Sequence, residues 1–89
     1  MTDKLWEDYS WIVRGKQRRK VLKLMDEPKT PTEIKKDGEM TLTNASRVLV
    51  QFEKRGLAKC LTPNETRSRV YDLTKRGKIL REEFIKRVK

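Results

Sequence analysis

The segment TPTEIKKDGEMTLTNASRVLVQFEKRGL, residues 30–57, decides how this chain folds. It opens with Thr30 as a hydroxyl N-cap, Pro31 at the first helical position, and Glu33 placed to close a capping box. Asp37-Gly38 offers a stop, so this helix is short, and Ile34 is its one clear apolar anchor. Met40 fills a turn, and Thr41 caps a longer helix over about 42–55. Within it Ala45, Val48, Leu49 and Phe52 recur at i, i+3, i+4 and i+7, the apolar stripe of a buried helix face. Gly56 ends the helix, with Lys54 and Arg55 well placed at its negative end.

A short helix, a tight turn and a longer amphipathic helix are the parts of a helix-turn-helix. Downstream, LAKCLT (57–62) and SRVYDLT (68–74) read as two short strands joined by the turn-prone PNETR. They form a β-hairpin, or wing, with an exposed basic tip over about 62–69. Thr74 caps a final helix over about 75–88, whose apolar residues are Ile79, Leu80, Phe84, Ile85 and Val88. Upstream, Leu5, Trp6, Tyr9, Ile12 and Val13 predict an amphipathic helix over about 3–13. After Gly15 a second helix runs to about Met25, opening on the basic RGKQRRK and ending before Pro28. The expectation is one domain over residues 1–89, mostly α with a small β-hairpin, in the element order of a winged helix-turn-helix. There is no internal repeat, low-complexity segment or linker.

Composition limits the function. The 89 residues are 35% hydrophobic and 40% charged, with 23 Lys and Arg against 13 Asp and Glu, a formal +10. The surplus is uneven: residues 1–40 hold ten basic and eight acidic groups, residues 41–89 thirteen and five. A field of that sign attracts phosphate polymers or anionic lipid. The charge is spread over several short elements rather than one long amphipathic helix, and no apolar run suits a membrane span, so nucleic acid is expected and a membrane is not. Catalysis has little to draw on. The chain has no histidine, the commonest general base, and its single cysteine, Cys60, has no second thiol for a disulfide or metal site. No cofactor, metal or catalytic residue is expected.

If the apolar stripe of residues 45–52 faces inward, the opposite face points out, and in a helix-turn-helix it lies in the major groove. Arg47 suits guanine, Asn44 or Gln51 suits adenine, and Thr43 and Ser46 can bond base or phosphate. Arg67 and Arg69 would carry the wing to the backbone or the adjacent minor groove. Lys16, Arg18, Arg19, Lys35 and Lys36 are candidate phosphate contacts, which add affinity without reading sequence. Trp6, Tyr9 and Trp11 could stack on unpaired bases. The favoured reading instead places Trp6, Tyr9, Ile12, Leu80 and Phe84 in a homodimer interface formed by the terminal helices.

Beyond these residue-level readings, TPTEI, SRVL, EKRGL and YDLTKRGK over roughly residues 12–80 resemble the single-domain winged-helix regulators of MarR/ArsR type, particularly small archaeal ones. The resemblance implies a cytoplasmic, sequence-specific, double-stranded DNA-binding transcriptional regulator with no enzymatic activity. Two departures fall on the short helix: Lys35 stands where these families place a small residue, and Gly38 where they place an apolar one. Both point to a frayed or shifted short helix. No Cys/His cluster is present, so metal sensing is not implied. The competing readings are a winged-helix protein-interaction module within a larger assembly and a non-specific nucleic-acid binder.

Overall fold

The structure, a computed structural model, describes residues 2–67 and 69–87. Five helices and one hairpin follow in order: α1 (Asp3–Val13), α2 (Lys16–Leu24), α3 (Pro31–Gly38), α4 (Leu42–Lys54), β1 (Ala58–Cys60), β2 (Tyr71–Leu73) and α5 (Lys75–Arg87). α3 and α4 pack on α2, while α1 and α5 pack on each other and on α2. Ile12, Val21, Leu22, Ile34, Ala45, Leu49, Phe52, Leu57 and Leu80 have no exposed surface and form one core. Each large aliphatic or aromatic side chain among them stabilises the fold by roughly 1.5–3 kcal/mol relative to exposure. This is a mostly helical winged helix with a two-stranded antiparallel hairpin.

The helix starts follow their sequence signals. The Thr30 hydroxyl accepts from the Glu33 amide at 3.2 Å and the Glu33 carboxylate from the Thr30 amide at 2.9 Å, a complete capping box. The Thr30 backbone amide, and secondarily its side chain, holds the Glu33 carboxyl below its ordinary range. Thr41 caps α4 by accepting from the Asn44 amide at 3.1 Å. Thr74 caps α5, accepting from the Gly77 amide at 3.2 Å while its hydroxyl donates to the Gly56 carbonyl at 2.7 Å.

The structure departs from the sequence-based expectation in two places and adds to it in a third. The short helix is neither frayed nor shifted: Gly38 is its last residue, and the left-handed stop falls on Glu39 (φ 51°). Gly38 is buried under neighbouring side chains: a Cβ there would meet Met40 Cε at 2.7 Å and Leu24 Cδ1 at 3.3 Å. Met40 and Leu24 thus supply the apolar bulk that residue 38 lacks, which keeps α3 in place. Secondly, the strands are shorter than read, with Ala58, Lys59 and Cys60 pairing Leu73, Asp72 and Tyr71. Hydrogen bonding continues outward from Leu61 N to Val70 O at 2.7 Å; Ser68, like Val88 of the last helix, lies outside the described residues. Finally, Lys29 pairs with Tyr71 through two backbone hydrogen bonds of 2.8 and 2.9 Å. The connection before α3 is thereby pinned to the wing by one residue, too short a strand to show in the sequence.

The terminal helices also differ from expectation. Ile12 and Leu80 carry no exposed surface, and Tyr9 and Phe84 little, so these four residues serve the chain's own core. Apolar residues can be counted from a helix, but the share that a five-helix core consumes cannot. Among the described residues of these two helices, the exposed large apolar side chains are Trp6 on α1 and Ile79 and Ile85 on α5.

Candidate nucleic-acid interface

α4 is held by its inner stripe, with Ala45, Val48, Leu49 and Phe52 all buried. The remaining turns therefore project two parallel rows outward: Leu42, Ser46 and Val50 on one side, Thr43, Arg47 and Gln51 on the other, with Lys54 beyond. Rows spaced by four residues are neighbours on a helix surface, so each forms a continuous strip. A groove between the first strip and the wing is completed by Pro31 and Thr32 of α3 and by Thr66, Arg67, Arg69 and Tyr71. A second groove, between the other strip and the start of α2, is completed by Gly15, Lys16, Gln17 and Arg18, with Asn44 at its edge.

The structure thus brings all seven candidate base and wing residues to one face: Thr43, Asn44, Ser46, Arg47, Gln51, Arg67 and Arg69. Arg47 is exposed and touches the Asn44 side-chain oxygen only at 3.5 Å, the outer limit of a hydrogen bond, so its guanidinium is free to reach outward. Arg67 is exposed at the wing. Arg69 is half-buried and donates to the Pro63 carbonyl at 3.3 Å, so it also shapes the wing turn. Among the described residues lining these grooves are Lys16, Arg18, Arg47, Lys54, Arg67 and Arg69, and no Asp or Glu. The first turn of α4 also carries no acid, leaving the positive end of the helix dipole uncompensated at this face.

The candidate phosphate contacts divide. Lys16 lies in the α2 groove, while Lys35 and Lys36 are exposed on α3 outside the three surfaces just described. Arg18 donates to the Trp11 carbonyl at 2.7 Å and Arg19 to the Val13 carbonyl, so both tie down the C-terminal end of α1. Lys20 does the same for α3 through the Gly38 carbonyl at 2.9 Å, and Arg81 for α2 through the Lys23 carbonyl at 3.0 Å. Helix C-termini are partial negative charges, and the chain neutralises them with its own cations. Part of the basic surplus is therefore internal.

The aromatic segment is not a stacking platform. Tyr9 is buried, and Trp11 lies edge-on to Phe52 between the guanidinium groups of Arg18 at 4.4 Å and Arg55 at 4.0 Å. Only Trp6 of the three is well exposed, and Arg87 stands over its ring at 5.0 Å.

One cluster had no place in the sequence reading. Asp8 is 1% exposed, and its carboxylate accepts from Arg55 at 2.9 Å and Arg76 at 2.7 Å. It ties α1 to the end of α4 and the start of α5. The signal was present. Leu5, Asp8, Tyr9 and Ile12 stand at i, i+3, i+4 and i+7, which puts Asp8 on the buried stripe, and both partners sit in a repeated Lys-Arg-Gly, at 54–56 and 75–77.

A buried helical scaffold presenting an outward α4 beside a basic wing defines the winged helix-turn-helix class. No protein-family model matches the chain, and no curated protein matches it by sequence. Solved structures do. The transcriptional repressor CouR, bound to a 23-mer DNA duplex, superposes with a TM-score of 0.69 at 27% identity, over 92% of this chain and 63% of that one. The reduced form of MarR from E. coli gives 0.72 at 25% identity, over 96% and 67%. An ArsR family transcriptional regulator gives 0.66 at 18% identity, over 97% and 88%. The chain spans only 51–63% of several other structures it matches. The structures it matches include MarR family and ArsR family transcriptional regulators. No helix among the described residues is long and apolar enough to cross a membrane.

Proposed function

We propose that the chain is a cytoplasmic, sequence-specific regulator of transcription that binds double-stranded DNA as a homodimer and catalyses no reaction. The observation that carries this reading is the face of α4: a free arginine, amide and hydroxyl side chains, and six cations with no acid along the flanking grooves. α4 enters the major groove, Arg47, Gln51 and Asn44 meet base edges, and the wing rests on the backbone or minor groove. The DNA-bound CouR neighbour supports the same use of the fold.

Selection of bound duplexes from a random library tests the reading. A sharp consensus is expected; a protein-interaction module would return none. On the selected duplex, Arg47→Ala should weaken binding by about 1–3 kcal/mol, and by less on random duplex, as measured by fluorescence anisotropy. Equal loss on both would reduce Arg47 to a phosphate contact.

Replacing Arg67 and Arg69 together with alanine should lower affinity for every duplex alike. The slope of log K against log salt should flatten by up to about two units, one for each phosphate released. An unchanged slope would mean that the wing stays clear of the backbone.

The dimer would use the apolar surface that the core leaves outward, Trp6 with Ile79 and Ile85. Two copies present two recognition helices about one DNA turn apart, or a multiple of that, on a roughly palindromic site. Sedimentation equilibrium at micromolar concentration should give twice the 10.6 kDa chain mass. Ile79→Lys with Ile85→Lys should return the protein to a monomer. A wild-type chain that stays monomeric, alone and on its selected duplex, overturns this arrangement.

A further inference from the structure

The polar strip of α4 suits DNA in an obvious way, but the other strip does not. Leu42 is 47% exposed at the first position of the helix, with no partner to cover it. Ser46 and half-buried Val50 continue from it as a shallow, weakly polar floor running toward Tyr71 at the wing. An exposed leucine at that position gains nothing for the fold, since a helix start is better served by a small polar or acidic residue. Resting on the DNA-binding reading above, we propose that Leu42 is a specificity-determining residue that reads the C5-methyl group of thymine in the major groove.

Thymine is the one base that offers an apolar group on the major-groove edge. It also stands between phosphates, and the surroundings of Leu42 match that pattern: Arg47 lies on the neighbouring strip, with Arg67 and Arg69 across the groove. An apolar protein partner seated on Leu42 would bury these cations without compensation; a duplex supplies their counter-charge. The two strips then divide the work. Thr43, Arg47 and Gln51 bond the polar edges of bases, while Leu42 excludes water from a methyl group one column over.

The probe is the duplex selected by the wild-type chain, with each thymine replaced singly by uracil, which removes only the methyl group. At one position per half-site this change should weaken wild-type binding roughly fourfold, the weight of one methyl group taken out of water. Leu42→Ala should lose a similar factor on the unmodified duplex and be indifferent to uracil at that position, whereas Leu42→Met should remain sensitive. Because Leu42 is exposed, both variants should melt at the wild-type temperature. If no uracil position weakens wild-type binding, or if Leu42→Ala responds to uracil as the wild type does, the proposal is overturned while the DNA-binding reading stands. A wild-type chain that prefers no duplex overturns both.

Discussion

Asp8→Ala should lower the unfolding free energy by about 2–4 kcal/mol, read from the urea midpoint. Breaking a buried ion pair by removing one partner typically costs about 3–5 kcal/mol. The estimate is set lower because Arg55 and Arg76 are 40% and 38% exposed and partly screened by water. Even so, the loss is a large share of the roughly 4–13 kcal/mol expected for a chain of this size. Arg55→Ala should cost a comparable amount, since it leaves the carboxylate to Arg76 alone and uncovers one face of Trp11. The Asp8→Ala, Arg55→Ala double variant should then be much less unstable than the sum of the singles. Additive losses would mean that the two residues stabilise the fold independently and that the ion pair contributes nothing of its own.

Gly77→Ala should destabilise by about 1–2 kcal/mol net, for a different reason. A Cβ at residue 77 would stand 2.1 Å from the Leu57 carbonyl oxygen and 3.1 Å from Leu73 Cδ2. The oxygen cannot swing aside, because it accepts the Thr74 amide at 2.9 Å where α5 begins. The start of α5 must move instead, and overpacking of this kind costs about 1–3 kcal/mol. The gain of up to about 1 kcal/mol from alanine's helix propensity offsets only part of a clash with backbone. Gly56 makes a useful contrast. Its φ of 76° requires freedom of the backbone, but a Cβ there would meet nothing nearer than 3.8 Å, so Gly56→Asn should be tolerated far better. Equal melting temperatures for Gly77→Ala and the wild type would refute the close approach.

Much of the fold was legible because its signals are local. The caps at Thr30, Thr41 and Thr74, and the stripe through Ala45, Val48, Leu49 and Phe52, each depend on residues within two turns. The outward face of α4 followed by subtraction. Two features were not legible, and a third was legible only in part. The Lys29–Tyr71 bridge is one residue long and leaves no alternation to read. Met40 and Leu24 filling the space over Gly38 is a contact between side chains of different elements. Asp8 was passed over because a charge on an amphipathic helix is ordinarily solvated, and only its arginine partners, 47 and 68 residues away, make burial acceptable. The same lack of long-range information hides that Arg18 and Arg19 also hold the end of α1.

The cations on helix ends have a practical corollary for handling the protein. Arg18, Arg19 and Lys20 hold their carbonyls in partly buried hydrogen bonds, whereas Arg47 and Arg67 stand in open solvent. At about 1 M salt the screening length falls to roughly 3 Å, which erases attraction across water but not a hydrogen bond already made. A high-salt wash during purification should therefore strip adhering nucleic acid from the protein and leave the folded chain on the column.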